Sequence, residues 1–272
     1  MSEEKEMSFL DHLEELRWHV MKALVVIVVF TIAAFFFAQW IFHNIVFAPA
    51  RPDFITFQWL CSVSENLCVE VIPMKLQSRT MTGQFAMQLT SSFVIGLIVG
   101  FPYLCYELWK FVRPGLRKKE QKKSRGAVAI VSLLFFIGIM FGYFVVAPMT
   151  IYFLSTYQIS DMISNEFDIT SYVSTVVSLV FGSGALFQLP VIIYFLTRIG
   201  IVTPMFLRRY RRHSIVIILI LAAIVTPPDP FSQTIIAIPL YLLFELSIFI
   251  SARTYKNMLR QEMEEELKST TR

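Results

Sequence analysis

The chain has 272 residues, of which 56% are hydrophobic and only 16% charged, with 26 Phe against 10 Gly; its mean hydropathy is +0.61. A soluble domain carries about 25% charged residues, so a soluble enzyme or binding module is excluded and a multispanning membrane protein is indicated. The net charge of +4 is no nucleic-acid signature, because the cations alternate between loops instead of forming one patch.

The chain opens on an acidic segment, MSEEKEM. The apolar stretch behind it is too long for a signal-peptide core and has no small-residue cleavage site, so the first helix is expected to stay in the membrane. Within "SFLDHLEELRWHV", Ser8 and Asp11 stand at capping-box spacing. Phe9, Leu13, Leu16 and Val20 recur at helical spacing, with Asp11, Glu14 and Glu15 off that side. Residues 1–19 are therefore predicted to form a cytoplasmic amphipathic lead-in helix. Compensation of the helix dipole accounts for Asp11 but not for Glu15, which lies past the first turn. An acid beside an anionic inner leaflet is electrostatically unfavourable.

Apolar stretches able to span fall at about 20–43, 84–112, 126–147 and 172–197, followed by two short ones at about 213–226 and 233–251. Crossing unaided takes roughly 20 residues. The expectation is an all-α integral membrane protein with six transmembrane helices, the last two short, forming a single membrane domain over 20–251. Lysine and arginine set the sidedness. Lys5, Arg17 and Lys22 precede or open the first span; a dense run from Lys110 to Arg125 follows the second; Arg198, Arg208, Arg209, Arg211 and Arg212 follow the fourth. A charged tail, 252–272, holds Arg253, Lys256, Arg260, Lys268 and Arg272. Both termini are thus expected in the cytoplasm.

The first external loop, about 44–82, contains Cys61 and Cys68, which an oxidising compartment would allow to bridge; two free buried thiols are the alternative. Cys105, in the second span, reads as an inert packing residue. The second external loop carries Asp161, Glu166 and Asp168, and the third is the rigid turn "TPPDPF". At membrane depth Gln188 is the clearest polar group, beside the small residues Gly182, Ser183, Gly184 and Ala185, which permit close helix approach. Pro190 is expected to kink that helix. Glu107 is expected to reach the inner interface. Glu245 needs a partner that the sequence does not name, and Tyr143 and Tyr241 are possible donors to buried acids.

The basic run "RKKEQKK" holds one acid, Glu120, which spacing alone assigns to an intrahelical pair with Arg117 or Lys123. "HLEELR" (12–17), "FVRPGLRKKE" (111–120), "FGYFVVAP" (141–148) and "TPPDPFSQ" (226–233) together resemble TatC, the receptor subunit of the twin-arginine protein translocase, over nearly the whole chain. The resemblance implies a different role for the acids. Glu15 and Glu120 match those that bind twin-arginine signal peptides at the cytoplasmic face; Arg17 and Phe111 fall on positions associated with the same site, and Glu14 is an additional acid there. For Phe111, interfacial packing remains a competing account. The resemblance also implies docking of single-span TatA- and TatB-type partners at Thr226 and Gln233, with Gln188 as a further polar contact. Asp229, between prolines, is alternatively a cap for the last helix. Gln188 stands where the family usually has a glutamate, so a titrating group at that depth is absent or carried elsewhere. The implied setting is the bacterial cytoplasmic (inner) membrane, in a larger self-associating complex that exports folded proteins on the proton-motive force.

Two rival classes are weighed. A small-molecule secondary transporter would show an internal repeat and mid-depth charges, and neither is evident. An intramembrane hydrolase needs a nucleophile and base at depth, but His12, His19, His43 and His213 all lie near span ends. The Cys and His spacings do not converge on a metal site, and no enzyme activity, cofactor or nucleic-acid partner is expected.

Overall fold

The structure is a computed structural model that describes the whole chain except residues 1–8, 66, 67, 70, 113–125, 161, 163, 164, 271 and 272. Eleven α-helices and two short strands are described. Helix α1 is Phe9–Phe36, α2 is Ala38–Ile41, α3 is Ile55–Val63 and α4 is Gly83–Val112. Helix α5 is Ala127–Phe141, α6 is Ala147–Thr156, α7 is Ile169–Leu186 and α8 is Leu189–Arg198. Helix α9 is Pro204–Arg209, α10 is Arg211–Val225 and α11 is Pro230–Thr270. Strands β1 (Lys75–Gln77) and β2 (Glu166–Asp168) pair in parallel. Five helical segments among the described residues are long and apolar enough to cross a membrane: Glu14–Phe36, Gly83–Phe111, Ala127–Thr156, Ile169–Arg198 and Pro230–Gln261. Their outer surfaces leave residues such as Phe36 (80% exposed) and Phe249 (65%) uncovered, a surface suited to lipid.

The all-α expectation holds apart from the β1–β2 pairing. The last two helices differ from expectation in one respect. Helix α10 is short, at 15 residues, but α11 runs for 41 residues and is the longest described element. The apolar run ends near Ser251, yet the tail behind it is rich in Met, Leu, Glu, Lys and Arg, all strong helix formers. It contains no Gly or Pro after that point, and an Arg260–Glu264 pair one turn apart at 3.4 Å supports it. Hydropathy marked where the apolar run stops, not where the helix stops. At the other end, the lead-in and the first span are one uninterrupted helix, α1.

The described chain divides into two compact units. The first comprises Met1–Ala48, Lys75–Leu133 and Glu166–Val177 and is built around α1 packed along α4. Gly96 and Gly100 make that packing close. A Cβ on Gly96 would sit 2.7 Å from the backbone nitrogen of Thr31 and 2.9 Å from the carbonyl oxygen of Ile27, and one on Gly100 would sit 2.9 Å from the Ile27 side chain. This is the close approach that small residues four apart permit. In the loop part of the unit, Asp168 ends β2 and caps α7: its Oδ1 accepts from the Thr170 N–H at 2.7 Å and the Thr170 hydroxyl at 2.6 Å. The Arg79 N–H, just beyond β1, donates to Oδ2 at 3.3 Å.

The second unit comprises Pro49–Met74, Leu134–Asn165 and Ser178–Arg272. Helix α5 meets α7 across small residues. A Cβ on Gly138 would lie 2.7 Å from the Ser183 carbonyl oxygen and 2.8 Å from Gly184 Cα. A π-turn, Gly142–Val146, joins α5 to α6. Pro148 cannot donate to the Phe144 carbonyl one turn back, and the Thr56 hydroxyl takes up that acceptor instead. The fourth span breaks at Phe187–Gln188, upstream of Pro190, whose missing N–H leaves the α7 end short of a donor. Helix α8 closes on Gly200, at φ 84°: Ile201 N–H reaches the Leu196 carbonyl at 3.0 Å and Gly200 N–H reaches Thr197 at 3.1 Å, a Schellman cap.

Candidate functional site

On α1, Glu15, His19, Ala23, Ile27 and Thr31 follow one another at one-turn intervals and form a single stripe. On α4 the matching stripe is Gly96, Gly100, Tyr103, Glu107 and Phe111. The glycine contact with Ile27 and Thr31 fixes the register of these antiparallel helices. It carries the polar ends of the two stripes together.

There, His19 and Glu107 are buried, at 6% and 4% exposed. His19 Nδ1 lies 2.5 Å from Glu107 Oε2; an ionised carboxylate can only accept, so the ring nitrogen donates. His19 Nε2 points the other way and lies 4.0 Å from Glu15 Oε1. Tyr103 also hydrogen-bonds Glu107, and the Lys110 charge is felt there. The Phe111 ring is tilted beside His19, with centroids 6.4 Å apart. A lone buried carboxylate costs several kcal/mol, and the His19 contact offsets that cost. The ring stands between the two acids, so the arrangement is not a set of donors around one point; among the described residues no three His, Cys, Asp or Glu side chains gather as metal ligands.

Of the residues expected at a receptor site, the structure brings Glu15 and Phe111 together around His19. Glu15 is half-exposed, and Glu14 and Arg17 are exposed on other sides of α1. Glu120 lies outside the described residues, as does the rest of its basic run. Two residues here escaped the sequence reading. Glu107, expected near the inner interface, is buried against a partner the sequence does not name, and His19 reads there only as a histidine near a span end. The available signal was "GLIVG" (96–100), a small-residue pair four apart, with Glu107 one heptad beyond Gly100 on the same face.

The remaining polar candidates lie elsewhere. Thr226, buried at 6%, donates to the Ala222 carbonyl at 3.0 Å. Gln233 Nε2 donates to the Leu219 carbonyl at 2.9 Å, tying α11 to α10. Between them Asp229 caps α11: its Oδ1 accepts from the Ser232 N–H at 2.6 Å. Gln188 stands half-buried at the break before α8. Tyr143 packs in the π-turn with its ring centroid 5.6 Å from that of Phe54. Glu245 finds the partner that the sequence left unnamed: Arg211 Nη2 is 2.7 Å from its Oε2, and the Tyr241 hydroxyl is 3.2 Å from its Oε1. Cys61 and Cys68 are joined by a disulfide, with Cα atoms 4.4 Å apart.

Comparison with known proteins identifies the setting of this site. Residues 11–239 match the family model described as Sec-independent protein translocase protein (TatC). The Sec-independent protein translocase protein TatC of Blattabacterium sp. subsp. Periplaneta americana (strain BPLAN) is 37% identical over 257 residues, covering 92% of this chain and 97% of the relative. The TatCy protein of Bacillus subtilis (strain 168) is 33% identical over 251 residues, covering 92% and 91%. A solved crystal structure of a twin-arginine translocase receptor, TatC, in the detergent DDM superposes with a TM-score of 0.69 at 28% identity, covering 88% of this chain and 99% of that one.

Proposed function

The chain belongs to the TatC family of Sec-independent protein translocase subunits, multi-pass membrane proteins that are not enzymes, and we propose that it is the receptor that captures twin-arginine signal peptides and then organises the export complex. Capture takes place on the cytoplasmic face. Glu15 and Glu120 grip the two guanidinium groups, Phe111 packs against the peptide, and Arg17 and the extra acid Glu14 flank the site. The observation that carries this reading is the half-exposed Glu15 carboxylate at the end of the α1–α4 pair, backed by buried His19, whose ring Phe111 flanks. A carboxylate is unfavourable beside an anionic leaflet, and it is the group that a planar, always-charged guanidinium binds bidentately.

Magnitudes say what else is needed. A charge-assisted hydrogen bond contributes about 1.5–3 kcal/mol, so two arginine sites supply ~3–6 kcal/mol, short of the ~8 kcal/mol of a micromolar complex. The apolar part of the signal supplies the rest by lying against the helices.

The proposed topology has six spans, with the 15-residue α10 as the fifth, over a membrane region of about 20–251. Both termini, including the lead-in of 1–19 and the tail of 252–272, lie in the cytoplasm of a bacterium, and the 44–82 loop faces the periplasm. The lysine and arginine pattern supports this sidedness. Single-span TatA- and TatB-type subunits dock at the α10–α11 turn near Thr226 and Gln233, with Gln188, Tyr143 and Glu245 as the polar groups at membrane depth. Further copies assemble into the complex, and the proton-motive force drives folded cargo across. A small-molecule transporter is not favoured by the family match.

The test is equilibrium binding of two synthetic signal peptides, Arg-Arg and Lys-Lys, to the purified full chain. Wild type should prefer Arg-Arg by about tenfold or more, and Glu15→Gln and Glu120→Gln should each erode that preference. Equal binding of both peptides to wild type would refute the receptor assignment.

A further inference from the structure

The receptor reading rests on Glu15 but leaves unexplained the ionisable pair buried directly behind it. As glue between α1 and α4 this pair is a poor choice, since well-packed apolar residues usually serve at least as well as a buried ion pair. An apolar pair, however, could not offer a second face to Glu15. His19 does: Nδ1 is engaged by Glu107 at 2.5 Å, which fixes the ring plane and aims Nε2 at Glu15, one turn earlier and 4.0 Å away. The Glu15 side chain is 39% exposed while that of Glu107 is 5% exposed, so only one of the two acids flanking the ring is open to a ligand.

We infer that His19 is a positioning residue of the signal-peptide site: clamped on Glu107, it holds the Glu15 carboxylate in place for an incoming guanidinium. The inference rests on the reading of Glu15 as a signal-binding acid. The ring turns one nitrogen toward each carboxylate, and of those two acids Glu15 is the one a guanidinium can reach. Tyr103 and Lys110, both on α4, act on Glu107, and the Phe111 ring lies beside His19. The arrangement lets α4, which contributes no exposed acid among its described residues, set the orientation of an acid on α1. A longer acid-bearing side chain at the helix surface would otherwise sample several rotamers and lose more entropy on binding.

The experiment compares the same two peptides on the full chain carrying Glu15→Gln, His19→Gln, His19→Arg and the double substitution Glu15→Gln/His19→Gln. His19→Gln is expected to weaken Arg-Arg binding by about tenfold with little change for Lys-Lys. His19→Arg, whose guanidinium can donate to both acids, should restore the preference. The double variant should bind no worse than Glu15→Gln alone, because His19 acts through Glu15. An undiminished Arg-Arg preference in His19→Gln, or losses that add in the double variant, would overturn the inference while leaving Glu15 as a ligand-reading acid. If Glu15→Gln itself keeps the full preference, the receptor reading fails, and a role for His19 through Glu15 fails with it. Should His19→Gln not fold, Glu107→Gln is the substitute. It leaves His19 a hydrogen-bond acceptor but removes the charge, and it should lower the Arg-Arg preference in the same direction; an unchanged preference would count against the clamp.

Discussion

Arg211 and Glu245 form a hydrogen-bonded ion pair, 2.7 Å between Nη2 and Oε2, that joins the first residue of α10 to the interior of α11. The two residues lie about equally far from the intervening Pro-rich turn, so the antiparallel hairpin brings them level. Tyr241, one turn before Glu245, donates to the other carboxylate oxygen at 3.2 Å. Arg211→Leu should therefore leave the Tyr241 hydroxyl as the remaining described partner of Glu245 and, with both side chains partly exposed, destabilise the protein by about 1 kcal/mol. Arg211→Leu/Glu245→Leu should recover most of that loss. Thermal melts of the four species in detergent give the cycle; strictly additive losses would mean that the pair contributes no coupling.

The α1–α4 contact makes a second prediction. At Gly96 an added methyl meets the Thr31 hydroxyl and, behind it, the Thr31 nitrogen and Ile27 carbonyl of the α1 backbone, which cannot rotate away, so the helices must move apart. Gly96→Ala should lose about 1–3 kcal/mol through overpacking, and it should also weaken Arg-Arg peptide binding, because the same contact sets the register that places Glu107 behind His19. Gly126→Ala, where no described atom lies within 4 Å of the added atom, is the control and should change stability by no more than about 0.5 kcal/mol. An unaltered melting temperature in Gly96→Ala would mean that the helices are less closely apposed than described.

Outside the spans, Asp168 predicts an acid limb. The Thr170 hydroxyl and N–H, with help from the Arg79 N–H and charge, hold its carboxyl below the ordinary carboxylate value. A carboxyl with a lowered folded-state pKa contributes stability that is complete above its unfolded value and is lost as pH falls through the folded one. The β1–β2 and α7 cap region should thus loosen below the ordinary carboxylate range. Asp168→Asn, which cannot titrate, should flatten that limb. Hydrogen exchange at Thr170 against pH provides the readout, and an identical pH profile in wild type and Asp168→Asn would contradict it.

Thiol chemistry gives a fourth. The chain has three cysteines, two of them bonded to each other. Alkylation of protein denatured without reductant should label Cys105 alone, and prior reduction should expose Cys61 and Cys68 to the same reagent. Labelling of all three without reductant would show that the bridge does not form in the cell's envelope.

The sequence by itself determined the parts of this protein that depend on composition along the chain. The apolar stretches mark the five long helices and the short α10 because removing backbone from water forces hydrogen bonding within each segment. The cation pattern set an expectation of sidedness, and the quoted motifs pointed to the family. The turn "TPPDPF" announced its own sharp stop, with Asp229 as the cap. Even there, hydropathy misjudged α11, since helix propensity outlasts apolarity in its charged tail, and it gave no hint that β1 and β2 would pair across two loops.

Which residues meet was decided only by the tertiary structure. Glu107 had the features of an interfacial acid until the Gly96 and Gly100 contact with α1 fixed a register that buries it against His19. Glu245 had no nameable partner until the hairpin brought Arg211 level with it. Gln188 was seen as a polar group at depth, but the break at Phe187–Gln188 follows from Pro190 leaving a carbonyl without its donor. The physical reason is the same in each case. Periodicity tells which face of a helix a residue occupies, whereas the partner across the interface depends on how closely two backbones approach and at what offset. That offset is set by a few small residues and turns whose effect is felt many residues away.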